Sequence, residues 1–384
     1  MYLENIYLRT FRNYLEQAVN FQEQKTIIVG NNAQGKSNLL EAVELLATLK
    51  SHRTSRDREL VLDGCNAGQI LGQVKRAYGS AELTLTLRKQ GKRTIALNKE
   101  PLKRQIEFLG NLNAVQFSSL DLDLVRGAPE TRRDWIDSLL VQLEPVYAHI
   151  LQQYNQVLRQ RNALLKAIRK QEQDLRLGIS PNNASHNSVD KTQLLLWDEQ
   201  LAAAGSRVTR RRARVIKRLT PIAQKWHERI SGKTETLNIT YAPNVVWTED
   251  SPEQVQQAFL AKIEDRRVAE YHQGKTVVGT HRDEIEFTIN ETPARYYGSQ
   301  GQQRTLVLAL KLAELKLIEE IIGEAPLLLL DDVLAELDPN RQNQLLETIG
   351  DRFQTLITTT HVSSFNDLWL KNAQILTVDR GKII

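Results

Sequence analysis

Apolar positions along the chain follow two periods, and the switch between them divides it into three stretches. In the first hundred residues strand-like patterns dominate. TIIV at 26–29 is a short continuous apolar run, whereas ILGQVKRA, AELTLTLRK and RTIALN, between 70 and 98, alternate apolar with polar positions. Alternation interrupted by Gly79 and Gly91 predicts an antiparallel meander. Within this stretch SNLLEAVELLAT, at 37–48, has helical spacing.

From about 131 to 275 the spacing becomes mostly helical. ILQQYNQVLRQRNALLKAIRKQEQDLRL, at 150–177, steps its apolar residues by three and four and is dense in Gln, Arg and Lys. GISPNNASHNSVD, at 178–190, reads as a loop between two helices. That predicts a helical hairpin, a short antiparallel arm. Strict heptads do not persist, which excludes a long coiled coil. With no Cys pair at the tip, a zinc hook is excluded too.

Strands and helices alternate again from 276. IEFTIN (285–290) reads as a strand, YGSQGQQRTLVLALKLAELK (297–316) as a helix with an unusual start, and PLLLLDD (326–332) and TLITTTH (355–361) as strands. The fold class expected is α/β, with one head built from both ends of the chain, 1–130 and 276–384. A mostly helical second domain, 131–275, is inserted between them. There is no internal repeat.

Composition narrows the class only a little. The 384 residues are 41% hydrophobic and 25% charged, as in ordinary globular proteins. Cys65 is the single cysteine, so no intrachain disulfide forms and a reducing, cytoplasmic home is expected. The start, MYLENIYLRTFRNY, lacks a signal-peptide pattern, and PLLLLDDV is too short to span a bilayer, so no membrane role is expected. A net charge of +5 leans only a little toward nucleic acid or anionic surfaces, with the placement of the charge deciding more than its total.

Four motifs carry chemistry. GNNAQGKS at 30–37 fits G-x-x-x-x-G-K-[ST] between an expected strand and an expected helix. Gly30 and Gly35 let the backbone curl so that the N–H groups of Asn31, Asn32, Ala33 and Gln34 ring a phosphate, and Asn38 follows in the helix. Lys36 supplies a full positive charge and Ser37 a hydroxyl for Mg²⁺. The alternative is a chance match, which the strand–helix context argues against. In PLLLLDDVLAELD, Asp331 is placed to hold Mg²⁺. Asp332, expected on the other face of the strand, is placed to polarise an attacking water; the alternative is an acid-capped strand end. Asp338 follows at loop spacing and is a candidate for closing an interface. His361, just past an apolar strand, is a candidate γ-phosphate contact or else an ordinary histidine. Ser299, Gly301 and Gln302 open a helix and offer a second phosphate site, the alternative being a plain capped start. A P-loop already surrounds its own triphosphate on one side, so the economical arrangement gives the second site to a neighbouring chain's nucleotide.

These motifs, in this order, resemble the ABC-type ATPase heads, and more closely the RecF family of the SMC-like group. FRNY (11–14), GNNAQGKSNLLEA (30–42), DLDLVRGAPETRRDWID (121–137), VVGTHRDEIEF (277–287), YGSQGQQRT (297–305) and LLLLDDVLAELD (327–338) carry the resemblance over nearly the whole chain. It implies a weak, DNA-dependent ATPase that uses ATP and Mg²⁺ and forms an ATP-dependent homodimer. It further implies binding to single-stranded, double-stranded and gapped DNA near junctions, and action with RecR, in a pathway with RecO, to help RecA assemble in replication-gap and recombinational repair. Slow hydrolysis would release the dimer. On the same basis Lys36 and Ser37 bind nucleotide and Mg²⁺, Asp331 is the Walker B acid, and Ser299 and Gly301 reach the partner's γ-phosphate. Three departures stand out. Asp332 occupies a position usually held by Glu, Gln116 lies roughly where a Q-loop glutamine would be, and Thr280 stands where Pro is expected.

The most basic stretch is GSRVTRRRARVIKRLT at 205–220. Arg207, Arg211, Arg214 and Arg218 fall on one helical face, a stripe suited to DNA phosphates without base reading, or to plain solvation. Arg132 and Arg133 are a second candidate pair. Two other classes compete with the repair ATPase. A transporter ATPase subunit would have a compact head with P-loop and signature closer in sequence. A structural SMC-like clamp would have a long coiled coil.

Overall fold

The computed structural model describes residues 1–177, 192–362, 365 and 367–384. The expected turn at 178–190 lies outside the described residues. Among them, strands from both ends of the chain interleave in one sheet. β3 (Lys25–Val29) is flanked by β13 (Thr355–Thr359) and β14 (Ala373–Asp379). β12 (Leu327–Asp331) lies between β13 and β8 (Ala114–Ser118), all in parallel register. β15 (Lys382–Ile383) closes one edge antiparallel to β14. The runs TII, LLLL and LIT are buried, which explains their lack of alternation: a parallel sheet covered on both faces demands apolar residues at successive positions.

Alternation in the first stretch corresponds to an antiparallel sheet ordered β2-β1-β4-β5-β6-β7. Its strands are β1 (Tyr2–Phe11), β2 (Tyr14–Asn20), β4 (Ala67–Arg76), β5 (Gly79–Arg88), β6 (Thr94–Leu97) and β7 (Glu100–Leu102). Helix α1 (Lys36–Thr48) packs against both sheets, and Leu39, Leu40, Val43, Leu45 and Leu46 are all fully buried. Gly72 on β4 is needed for this contact, since a Cβ there would come 2.6 Å from a Leu46 methyl. Short helices α2 (Gln105–Phe108) and α3 (Asp123–Arg126) connect β7, β8 and the next long helix.

The middle stretch holds α4 (Pro129–Leu143), α5 (Val146–Arg176), α6 (Thr192–Ile230) and α7 (Pro252–Gln273). It also holds a strand that the expectation of a mostly helical stretch does not include. β9 (Leu237–Ala242) pairs antiparallel with β10 (Glu284–Ile289), which also pairs β11 (Thr292–Pro293). A three-stranded sheet therefore ties the helical stretch to the C-terminal one. α8 (Ala294–Tyr297) and α9 (Gln300–Ile322) follow, and α9 packs along α6. α10 (Pro339–Ile349) and α11 (Asp367–Leu370) complete the chain. Among the described residues no helix is long and apolar enough to cross a membrane.

Candidate functional site

The parallel sheet brings four chain segments to one edge. The P-loop follows β3, Asp331 ends β12, Ser118 ends β8, and His361 lies two residues past β13. In register, Asp331 stands level with Ser118 on one side and Thr358 on the other, and Thr359 is level with Val29. Ligands of open α/β sheets bind beyond the carboxyl ends of the strands, where helix N-termini converge.

Glycines shape the P-loop for two different reasons. Gly35 has φ +120°, outside the range of L side chains, and a Cβ there would meet the Asn13 amide at 2.7 Å. Gly30 has ordinary torsions, but a Cβ would lie 2.4 Å from the Val378 carbonyl on β14. Asn31, Asn32 and Ala33 are exposed, and Ala33 takes a positive φ of 65°. Gln34 is gripped from both sides. Its carbonyl accepts from Asn13 Nδ2 (2.7 Å) and from the Gly381 N–H (2.9 Å), and its side-chain oxygen from the Arg380 N–H (2.7 Å). Asn38 Nδ2 donates to Asn13 Oδ1, and the Tyr14 hydroxyl donates to the Gly35 carbonyl. Arg12 makes a two-pronged pair with the buried Glu41 of α1. The FRNY segment thus braces the loop and its helix, a role its residue types alone do not disclose.

Lys36 is buried, and its Nζ donates to the carbonyls of Gly30 (2.9 Å) and Asn31 (3.1 Å). The Ser37 hydroxyl donates to Asp331 Oδ1 at 2.7 Å, joining the two candidate Mg²⁺ residues across 294 sequence positions. Thr358, which sequence reasoning passed over, donates to the same carboxylate oxygen (2.7 Å) and accepts from the Asp332 N–H (2.9 Å). Its only sequence signal is a position near the end of a strand that neighbours the acids. Asp332 departs from expectation. The strand ends at Asp331, and Asp332 adopts left-handed torsions (φ 53°), so strand alternation does not set its direction. Half-burial pushes its carboxyl above the usual range, Lys36 pulls it down, and Asp331 pushes it up again. His361 is exposed, and its backbone N–H donates to Thr359 Oγ1.

Gln116 stands mid-strand, level with Leu329 and two positions short of Asp331. Its Nε2 lies 3.1 Å from His52 Nε2, and His52 Nδ1 lies 2.6 Å from Glu44. It lines a cleft of about 640 Å³ that also includes Lys311, Glu314 and Asp121.

The second phosphate candidate is elsewhere in its bonding. Ser299 caps α9 in a reciprocal box: its Oγ accepts from the Gln302 N–H, and its own N–H donates to Gln302 Oε1. Gln302 Nε2 donates to Glu235 (2.9 Å), and Gly301 lies beside the Arg341 guanidinium, which pairs with Asp338. Ser299 and Gln300 are exposed. The P-loop is braced instead by the β1–β2 turn, by Tyr14 at the start of β2 and by the β14–β15 turn.

The basic stretch divides by facing. Arg207, Arg214 and Arg218 are exposed, and Arg211 is half-buried. Arg211 pairs with Glu144 (3.0 Å) and Arg214 with Asp250 (2.8 Å). Arg212, between them, turns inward and is 3% exposed, bonding Asp137 with two nitrogens and Asp283 with a third contact. Arg132 is corrected as a DNA candidate: it too is 3% exposed, engaged by Glu284 and the Leu124 and Gly127 carbonyls. Arg133 donates to the Asp283 carbonyl.

Comparison with known proteins identifies the family. The family model described as RecF/RecN/SMC N terminal domain matches residues 2–383. The chain is 73% identical to the DNA replication and repair protein RecF of Gloeothece citriformis, covering all of this chain and 99% of that one. It is 67% identical to the RecF of Rippkaea orientalis at the same coverage. Among solved structures, the recombination mediator protein RecF with ATP, of the RecFOR pathway, superposes with a TM-score of 0.87 at 32% identity, over all of this chain and 97% of that one. The Smc head domain of Pyrococcus furiosus shares the fold at a TM-score of 0.53 and 16% identity, over all of this chain and 96% of that one. The chain belongs to the RecF family of DNA replication and repair proteins, within the SMC-like group of ABC-type ATPase heads.

Proposed function

We propose that this chain is an ATP-operated switch on DNA, active only as a pair. ATP binds the P-loop of one copy, and Ser299 and Gly301 of a second copy complete the site from the other side. The ATP-held dimer sits on DNA near single-strand/duplex junctions. There it acts with RecR, and in a pathway with RecO, to help RecA assemble, and slow, DNA-stimulated hydrolysis releases it. Residues 131–275 serve as the arm, and the setting is the cytoplasm. One observation carries the reading. The P-loop, Asp331, Asp332 and His361 share one sheet edge, whereas Ser299 and Gly301 bond, among the described residues, only within the start of α9, with Ser299 exposed and Gly301 half-buried. A helix start of this kind within one chain is satisfied by its own cap, and its exposed hydroxyl and N–H groups are left to meet an anion brought by another molecule.

Ser37 and Asp331 offer one hydroxyl and one carboxylate, a donor set suited to Mg²⁺ held largely through water and phosphate oxygens. Bound there, Mg²⁺ would neutralise charge on the β- and γ-phosphates. Lys36, held on two loop carbonyls, is poised to exchange them for phosphate oxygens. Asp332 orients the attacking water. Its side chain is one methylene shorter than the Glu usual at this place in ABC heads, which suits slow turnover.

Light scattering with and without ATP–Mg²⁺, followed by gapped DNA, tests the reading. An ATP-dependent doubling of mass, with DNA binding that responds to nucleotide and to salt, is expected. A chain that stays single at saturating ATP would sink it.

A further inference from the structure

The turn that leaves α6 reaches across to the start of α9. Glu235 lies in this turn with its side chain 18% exposed, and its Oε1 accepts from Gln302 Nε2 at 2.9 Å. A glutamine amide fits either way round unless its neighbours choose, because its oxygen accepts and its nitrogen donates. Glu235 is an acceptor only, so it selects the orientation with the amide nitrogen toward itself and the oxygen toward the Ser299 N–H, 2.8 Å away. The turn that presents Glu235 is itself held. The Thr236 N–H donates to Asn290 Oδ1 (2.8 Å), and the Asn290 N–H returns a bond to the Thr236 carbonyl (2.9 Å). Behind Glu235 stands His227, fully buried on α6, with Nε2 3.6 Å from Glu235 Oε2 and neither ring nitrogen in a hydrogen bond of good geometry.

Capping does not require any of this. Ser299 and Gln302 already satisfy the helix start reciprocally, and fourteen of the residues of α9 are buried, so the helix is secured by packing. A carboxylate near an anion site also opposes the anion by charge. Its presence there calls for a compensating gain, and that gain is orientation.

We infer that Glu235 is a positioning residue for the signature turn, fixing the Gln302 amide so that the Ser299 hydroxyl and the Gly301 N–H are preset to meet the nucleotide of a second copy. The inference rests on the proposed action of that turn between copies. Productive sites hold their groups within a fraction of an ångström, and the supporting contacts that do so are felt in the assembled state more than in the separate parts.

Glu235→Ala and Glu235→Gln in the full chain test it. The readouts are the dimer dissociation constant at saturating ATP–Mg²⁺, the affinity of the single chain for a fluorescent ATP analogue at high dilution, and the unfolding midpoint. Glu235→Ala is expected to weaken the dimer about tenfold, the size of one hydrogen bond to a charged group, with ATP affinity within about twofold of the unmodified chain. Glu235→Gln keeps an acceptor and drops the charge. It is expected to dimerise within about threefold of the unmodified chain. Weakening in both variants, with ATP affinity intact, also supports the inference, because an amide at 235 can donate as well as accept and so no longer forces the Gln302 orientation. Unchanged dimerisation in Glu235→Ala overturns it, as does an equal loss of single-chain ATP affinity, which would mark a merely structural role. A chain that never dimerises with ATP overturns the action between copies and the inference with it.

Discussion

Thr358 shows how much one side chain decides at the sheet edge. Its single hydroxyl donates to Asp331 and accepts from the Asp332 N–H, so the two acids are held in different roles by a residue on the neighbouring strand. Ser299 has the opposite character, being exposed and bonded only within its own cap. Ser299→Arg is therefore expected to retain ATP binding and to abolish ATP-induced dimerisation, at a cost of about 1 kcal/mol in stability from the lost cap. Equilibrium dialysis and light scattering on the same sample check both halves, and a variant that still dimerises refutes the action between copies. His281 gives a prediction in pH. Burial, with neighbouring arginines, lowers its pKa to about 4 despite the pull of the Thr276 carbonyl, and its Nδ1 lies 2.8 Å from the Tyr154 hydroxyl. The unfolded chain takes up the proton near the ordinary value of about 6.5, before the folded chain does. The contribution of His281 is thus fully present above pH 6.5 and is lost as pH falls toward 4, by up to about 3 kcal/mol. Urea midpoints should fall less between pH 7.5 and 5 in His281→Gln than in the unmodified chain.

At the scale of elements, α6 packs against α4, α5, α7, α9 and β9. Its outer face carries Arg207, Arg214 and Arg218, and its inner face drives Arg212 between two carboxylates, one from α4 and one from the residue just before β10. Both carboxylates are further satisfied, Asp137 by the Tyr147 hydroxyl and Asp283 by the Tyr241 hydroxyl and the Asn244 N–H. Removing the cation from such a cluster leaves two buried charges without compensation. Arg212→Ala is expected to lose about 3–5 kcal/mol, seen as a lower urea midpoint, and Arg212→Lys to lose less, since it keeps charge without the fork. Equal midpoints for Arg212→Ala and the unmodified chain would contradict the account. β9 belongs to the same cluster, with Tyr241 as its contact. β9 alternates Leu237, Ile239 and Tyr241 with Asn238 and Thr240, but it stands amid helical spacing, and pairing with β10 is what makes it a strand.

For the whole molecule, the placement of charge matters more than the total of +5. Arg211 and Arg214 already pair with Glu144 and Asp250, and exposed pairs of this kind are worth little, but they do reduce the positive field of the stripe. Arg207 and Arg218 are exposed on the same helix. If the stripe tracks DNA phosphates, replacing both with Ala should lower the slope of log binding constant against log salt by about two on duplex DNA. The same pair of changes should act alike on unrelated sequences, because phosphates carry no sequence. A slope unaltered in fluorescence anisotropy titrations would place the DNA elsewhere on the molecule.

Local order was legible in the sequence because its causes are local. Glycine torsions make the P-loop, apolar runs make the buried strands, and Ser299 with Gln302 makes a cap, each within a few residues. The family resemblance rested on the same segments, and the sheet that joins both chain ends agrees with it. Long-range juxtapositions belong to the tertiary structure. Nothing in the spacing joins Ser37 to Asp331, places Thr358 between two acids, or brings Glu235 to Gln302. Of three consecutive arginines, 210 to 212, only packing decides that the last turns inward, because a buried cation is stable only where the fold brings carboxylates to meet it.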